Sequence, residues 1–192
     1  MKKAPILALA SSSSTRVKIL KNAGIAFVQR ALDFDESGIK SMDARDFVYE
    51  AAKNKAAHYL KTYPLDMPSL VADTVVEARN KILLKPRDVN EAREMLYLQS
   101  GSGVSIITCM IYKSLKLELT DLSAAFYEFD KFESGDLEAY LKSGEWEGKA
   151  GACMVEGFCR QYIKKSVGFE STAMGLSLER LLPFLELENA GV

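Results

Sequence analysis

Short runs of apolar residues alternate along this chain with segments in which apolar residues recur every three or four positions. Runs of about four to eight apolar residues are typical of buried strands, and the helical spacing is typical of amphipathic helices. The predicted strands are 6–9, 70–76, 82–84, 105–112, 115–129 and one near 158–163. The predicted helices are 17–23, 43–60, 88–101, 137–141 and 178–187. This alternation predicts an α/β fold.

Residues that start or stop helices mark several of these boundaries. Gly24 ends the first helix, and Ser134 is expected to cap the helix around 137–141. Asp88 followed three residues later by Glu91 has the spacing of a capping box at the start of a helix. No Pro/Gly-rich linker, low-complexity tract or internal repeat divides the chain, so one domain spanning 1–192 is predicted.

Composition narrows the classes of function. The formal net charge of −1 results from 25 basic and 26 acidic residues without a block of like charge, so no nucleic-acid or membrane partner is expected. No apolar stretch approaches the ~20 residues of a membrane helix, and the N-terminal apolar run is too short for a signal peptide. We therefore expect a cytoplasmic protein. Cys109, Cys153 and Cys159 lack C-x-x-C spacing and are predicted to be small core residues.

The turn from Ala10 to Arg16 joins the first predicted strand to the first predicted helix and contains four consecutive serines. Hydroxyls and free backbone N–H groups converge at such a helix start, where the helix dipole favours negative charge. Arg16 adds a forked cation that suits phosphate oxygens. The turn therefore indicates a phosphate site. The alternative is an ordinary helix N-cap, because Ser and Thr are common in that position.

Three charged residues in unusual places support the phosphate interpretation. Asp73, followed by Thr74, interrupts an apolar strand, where a carboxylate is costly unless it is hydrogen-bonded, paired or bound to metal. Lys55 falls on the apolar face of its helix, where it either extends its ammonium to solvent or meets a buried anion. Lys85 follows an apolar strand and precedes Pro86. The alternatives are a turn-forming Asp and an ordinary loop lysine.

Taken together, six short motifs resemble the Maf family of nucleotide pyrophosphatases over nearly the whole chain. The motifs are Ala10–Arg16, Lys55-Ala56, Ala72-Asp73-Thr74, Lys85–Asp88, Lys149-Ala150-Gly151 and Gly175–Leu178. The resemblance implies a single elongated α/β domain with a mixed twisted β-sheet flanked by helices, and two lobes around a central cleft. It also implies hydrolysis of nucleoside triphosphates to monophosphate and pyrophosphate.

The same resemblance implies roles for individual residues. Asp73 would be the proton acceptor that activates water. Ser11, Arg16, Lys55, Lys85 and Lys149 would bind the substrate. Glu36 matches a family acid and, with Asp73, would hold a divalent cation, Mg²⁺ or Mn²⁺.

Three positions, Thr15, Thr74 and Glu156, correspond to family specificity positions. Many members carry two arginines after the serines, and here Thr15 stands in place of the first. Glu156 resembles the group acting on 7-methylguanosine triphosphate, whereas Thr74 belongs to the pyrimidine-type pattern. The resemblance therefore leaves the base open.

The resemblance also suggests a wider role. The expected function is removal of noncanonical nucleotides, and the family is associated with arrest of septum formation and cell division. One alternative is a nucleotide-binding regulator with weak or no hydrolytic activity. Another is a degenerate member that lost activity with the first arginine. A homodimer is expected by family analogy.

Overall fold

The structure, a computed structural model, describes residues 6–32, 34 and 38–190. In this part of the chain seven strands form one mixed sheet. The strands are β1 (Leu7–Leu9), β2 (Phe27–Gln29), β3 (Ser69–Ala78), β4 (Lys81–Leu83), β5 (Gly103–Lys113), β6 (Glu118–Phe129) and β7 (Ile163–Val167). The helices are α1 (Ser14–Asn22), α2 (Ala44–Thr62), α3 (Val89–Gln99), α4 (Ser134–Ser143), α5 (Glu170–Ala173) and α6 (Leu178–Ala190). The predicted α/β fold with a mixed sheet is confirmed.

The sheet has the strand order β2-β1-β3-β5-β6-β7, and β4 pairs with β3 as well. β2, β1 and β3 run parallel, while β3, β5, β6 and β7 form antiparallel pairs in that order. The long strands fix the register near the centre of the sheet. Asp73 lies opposite Cys109, and Thr74 lies opposite Thr108.

One edge of β3 changes its neighbour part-way along the strand. β1 pairs with Ser69 and Leu70, and β4 pairs with 76–78, so 71–75 have neither strand beside them. β1 runs parallel and β4 antiparallel to β3, so their C-terminal ends point toward each other across this gap. The segments that follow β1 and β4 therefore meet at one opening. Alternation along β3 sends the side chains of Asp73 and Thr74 to opposite faces beside it.

Helices cover both faces of the sheet. On the face of Asp73, α2 packs Phe47, Val48, Ala51 and Ala52 against the apolar residues Val75, Ile107, Cys109 and Ile111. On the face of Thr74 there are two cores. One joins α1 and α6 to the end of the sheet around Leu70, and the other joins α3 and α4 to the end around Val76. Thr74 therefore lies between two apolar cores.

Two local predictions are wrong, and one short strand was not predicted. Residues 158–162 form a 3₁₀ helix before β7, because the buried Cys159 and Tyr162 are three residues apart, the helical spacing. The cap of α4 is Glu133 without a side-chain bond, and Ser134 is already helical. β2 was not predicted because it is short and partly exposed.

The cysteines are core residues as predicted. Cys109 and Cys159 are buried, Cys153 is half-buried, and all three are free thiols. Burial raises the pKa of Cys109 to about 12, with smaller contributions from Asp121 and Asp73. None of the helices in the described ranges is long and apolar enough to cross a membrane.

Candidate active site

A cavity of about 340 Å³ opens at the gap in the edge of β3. The predicted site residues that line it are Ser11, Thr15, Arg16, Lys55, Asp73, Thr74, Lys85, Lys149 and Glu156. Glu36 lies outside the described residues. The topology accounts for this convergence: the serine turn follows β1, Lys85 follows β4, and Asp73 lies on the unpaired stretch of β3 between them.

The serine turn forms a helix cap and leaves donors exposed at the helix start. Ser13 is the N-cap of α1, and its side chain accepts a hydrogen bond from the amide of Arg16 at 3.3 Å. Within the described part of the chain, no group accepts a hydrogen bond from the amide of Ser14 or Thr15. The cap alternative is therefore correct for Ser13, and it coexists with two donors at the positive end of α1 that suit an anion.

Arg16 is buried, and its guanidinium donates to three groups among the described residues. Its Nε donates to the carbonyl oxygen of Gly175 at 2.7 Å, its Nη1 to Ser11 Oγ at 3.0 Å, and its Nη2 to Thr74 Oγ1 at 3.0 Å. Gly175 has φ of +97°, and a Cβ there would lie 3.2 Å from Thr74 Oγ1 and 3.3 Å from Arg16 Nε. A glycine is therefore required where the backbone reaches the guanidinium.

The hydroxyl of Thr74 belongs to a short hydrogen-bond chain. Thr108 Oγ1 donates to the carbonyl oxygen of Thr172 at 2.8 Å and lies 2.9 Å from Thr74 Oγ1. A hydroxyl has one proton, so Thr74 is the donor to Thr108 and the acceptor from Arg16. Sequence reasoning missed Thr108. The signal in the sequence was a threonine within an apolar run, and the structure shows that it is fully buried.

Asp73 and Lys55 form a buried ion pair. Lys55 Nζ lies 3.0 Å from Asp73 Oδ1, and the two residues are 9% and 4% exposed. Of the two alternatives for Lys55, the buried anion is therefore correct. The second carboxylate oxygen, Asp73 Oδ2, is buried without a hydrogen-bond partner in the described structure. An acceptor in that state is costly unless a ligand, a water molecule or a cation meets it.

The segment containing Lys149 is held against β3 and β4 by Gly151. The amide of Gly151 donates to the carbonyl oxygen of Leu84 at 2.8 Å, and its carbonyl oxygen accepts from Gln99 Nε2 at 2.6 Å. Gly151 has φ of +62°, and a Cβ there would lie 2.9 Å from Val76 Cβ. Only glycine fits this close approach.

Lys149 precedes that glycine turn and contacts α1. Its Nζ donates to Thr15 Oγ1 at 2.5 Å. This contact joins residues 134 positions apart in the sequence, across the opening of the cavity. The exposed Lys85 lines the same cavity. Among the described residues, four cationic side chains therefore line it: Arg16, Lys55, Lys85 and Lys149.

Other walls of the cavity are apolar or acidic. The apolar residues Val76, Ile106, Ala173 and Met174 line it, as do the carboxylates Glu147 and Glu156. Sequence reasoning missed Glu147, which lies in a polar segment without a distinguishing pattern. Among the described residues, both in this cavity and outside it, no group of three or more His, Cys, Asp or Glu side chains is placed to hold a metal ion.

Comparisons with known proteins agree on one family. A family model described as Maf-like protein matches residues 6–188. A protein from Nitratiruptor sp. is 51% identical over 92% of this chain and 96% of its own length. Proteins from Helicobacter pylori and Campylobacter jejuni are 40% and 36% identical, each over 94% of this chain and 95% or more of their own length. All three are named nucleoside triphosphate pyrophosphatase.

Proposed function

The chain belongs to the Maf-like protein family and is a nucleoside triphosphate pyrophosphatase, and we propose that it cleaves the bond between the α- and β-phosphates in the cavity beside Asp73. One observation carries this location. Asp73 lines a cavity that four cationic side chains also line, and its Oδ2 is a buried acceptor that lacks a hydrogen-bond partner among the described residues. Such a cavity favours a polyanion that brings water or a cation to the carboxylate.

The phosphates are bound by groups from three segments of the chain. The amides of Ser14 and Thr15 face the anion at the start of α1, and Arg16 supplies a fixed guanidinium beside them. Lys85 and Lys149 supply ammonium groups from the two segments that flank the opening. These groups neutralise several negative charges and stabilise charge that develops on the departing pyrophosphate.

Asp73 acts as the proton acceptor. Water attacks the α-phosphorus, its proton passes to the Asp73 carboxylate, and the bridging oxygen leaves with pyrophosphate. Lys55 pairs with the carboxylate and fixes its orientation through Oδ1, which leaves Oδ2 for the reaction. Burial of the pair limits competing hydrogen bonds from bulk water.

The same oxygen suits a divalent cation. Carboxylate and phosphate oxygens are the ligands that Mg²⁺ and Mn²⁺ prefer, and an orphaned carboxylate oxygen fits that requirement. Asp73 would hold the cation together with Glu36, and the cation would supply neutralisation of phosphate charge and Lewis acidity.

The apolar wall and Glu156 suit the base. An aromatic ring would contact the wall at Val76 and Met174, and a carboxylate at 156 can accept hydrogen bonds from two neighbouring N–H groups. We propose that Glu156 favours a base with a guanine-type edge, as in modified guanine nucleotides, and that the cell uses the reaction to remove such nucleotides.

The experiment measures pyrophosphate release from a panel of canonical and modified nucleoside triphosphates, with Mg²⁺, with Mn²⁺ and with EDTA. The wild type is compared with Asp73→Asn and with Asp130→Asn, a matched change at an exposed carboxylate outside the cavity. We expect metal-dependent turnover that Asp73→Asn abolishes and Asp130→Asn preserves. Nucleotide binding without turnover in the wild type would instead favour the regulator of septum formation.

A further inference from the structure

We infer that Gln99 and Tyr140 are positioning residues for the reaction, because together they hold the turn that follows the phosphate-binding Lys149. This inference rests on the proposed function and deepens it. Neither side chain lines the cavity, and neither belongs to the six motifs that resemble the family. Both act on Lys149 through the backbone of 151–152.

The turn that follows Lys149 has an unfavourable backbone conformation. Gly151 has φ of +62° and Ala152 has φ of +55°, so two successive residues lie in the left-handed region. For alanine this conformation is costly, because its Cβ comes too close to a backbone carbonyl oxygen. Such strain persists only where surrounding groups hold the backbone in place. The turn therefore depends on contacts from outside its own segment.

Two buried side chains supply these contacts. Gln99, the last residue of α3, donates from Nε2 to the carbonyl oxygen of Gly151 at 2.6 Å. Tyr140, in α4, donates its hydroxyl to the carbonyl oxygen of Ala152 at 2.9 Å. Both side chains are buried, which limits competition from water for these hydrogen bonds. Each left-handed residue therefore has its carbonyl oxygen held by a different helix.

The amide of Gln99 is useful at this position only through its N–H groups. Nε2 meets two acceptors, the carbonyl oxygens of Met95 at 3.0 Å and of Gly151 at 2.6 Å, which assigns the nitrogen to that side. Oε1 is buried without a hydrogen-bond partner in the described structure. An unmet buried acceptor lowers stability, and an apolar side chain of similar length would avoid that cost. The benefit of glutamine here therefore comes from its donors, one of which reaches the turn.

The turn passes this constraint to Lys149. The amide of Ala152 donates to the carbonyl oxygen of Lys149 at 3.1 Å, which closes the turn onto the backbone of the lysine itself. The amide of Gly151 donates to the carbonyl oxygen of Leu84, the residue before Lys85, at 2.8 Å. A shift of Gly151 or Ala152 therefore moves Lys149 relative to the cavity that it lines.

The test uses Gln99→Met, which keeps an unbranched side chain of similar length without the amide, and Tyr140→Phe, which removes only the hydroxyl. Each change is made in the wild-type chain and in a Lys149→Ala chain, and kcat/KM is measured for the nucleoside triphosphate that the wild type hydrolyses fastest. The control is Ser102→Ala, which removes hydrogen bonds to the carbonyl oxygens of Leu98 and Gln99 at the end of α3.

Lys149→Ala alone should lower kcat/KM about tenfold or more, because it removes a hydrogen bond between charged groups. Gln99→Met and Tyr140→Phe should each lower it about fivefold in the wild-type chain, which corresponds to one net hydrogen bond. In the Lys149→Ala chain the same changes should matter less than about twofold, since the cation that they position is gone. Ser102→Ala should leave kcat/KM unchanged. Calorimetric binding of the same nucleotide gives this comparison where turnover is too slow to measure.

Equal falls in both chains, or no fall in the wild-type chain, would overturn the inference and leave the proposed site intact. If Lys149→Ala leaves kcat/KM unchanged, the proposed phosphate site fails, and the inference fails with it. Circular dichroism shows whether each variant is folded at the assay temperature. If neither Gln99→Met nor Tyr140→Phe folds, these side chains stabilise the whole fold, and the inference is overturned as well.

Discussion

Replacement of Gly151 by alanine tests whether the framework around Lys149 depends on glycine. The left-handed φ of +62° costs a residue with a Cβ about 1–2 kcal/mol. The new Cβ would lie 2.9 Å from Val76 Cβ, and overpacking of a buried contact costs a further ~1–3 kcal/mol. We therefore expect Gly151→Ala to lower the free energy of unfolding by about 2–5 kcal/mol, a large part of a typical total of ~5–15 kcal/mol.

Gly148→Ala is the matched control for this change. Gly148 lies in the same segment with φ of +71°, but nothing lies within 4 Å of a Cβ built there. Its alanine variant should lose only the backbone part, about 1–2 kcal/mol. Urea unfolding followed by circular dichroism gives both values. Equal midpoints for the two variants would refute the steric argument, and a Gly151→Ala midpoint at the wild-type value would refute the backbone argument as well.

Two further predictions concern buried ionisable groups. Lys55→Met leaves the Asp73 carboxylate buried without its ion-pair partner, so we expect a loss of about 3–5 kcal/mol in urea unfolding, partly restored by adding Asp73→Asn; an unchanged midpoint would contradict this. Burial raises the pKa of both Cys109 and Tyr127 to about 12. The unfolded chain therefore releases the Cys109 proton from about pH 9 and the Tyr127 proton from about pH 10, both before the folded chain does. Up to about pH 12, stability should fall by up to ~1.4 kcal/mol per pH unit for each group within its own range; a flat or rising stability over that range, measured by urea unfolding, would show otherwise.

The sequence predicted the longer elements because their apolar periodicity extends over several turns or pleats. α2 was predicted as 43–60 and spans Ala44–Thr62, and Asp88 caps α3 as expected. The expected return bond of the capping box, from the amide of Asp88 to the Glu91 side chain, is replaced by another. Glu91 accepts hydrogen bonds from the amide and the side chain of Arg87 instead. Side-chain partners near a helix start depend on rotamers, which a spacing rule does not specify.

The site could be predicted residue by residue only where a charge interrupts an apolar pattern. Asp73 and Lys55 have that signal, and they are found as an ion pair. Thr108 carries a weaker version of it, because threonine is common in strands. Glu147 carries none. No pattern in the sequence shows that the strand beside β3 changes from β1 to β4 along its length, because this change depends on pairing between segments distant in the chain.

That change of neighbour explains how motifs so far apart in sequence build one site. Three of the motifs lie at the gap: the serine turn follows β1, Asp73 lies within the unpaired stretch of β3, and Lys85 follows β4. The glycines Gly151 and Gly175 contribute backbone rather than side chains, since they allow close approach to Val76 and Arg16. We therefore expect substrate binding to be coupled to packing between the two cores on the Thr74 face. A substitution that loosens either glycine contact should weaken phosphate binding without touching the phosphates, which calorimetric titration of a nucleoside triphosphate into the Gly151→Ala variant would measure.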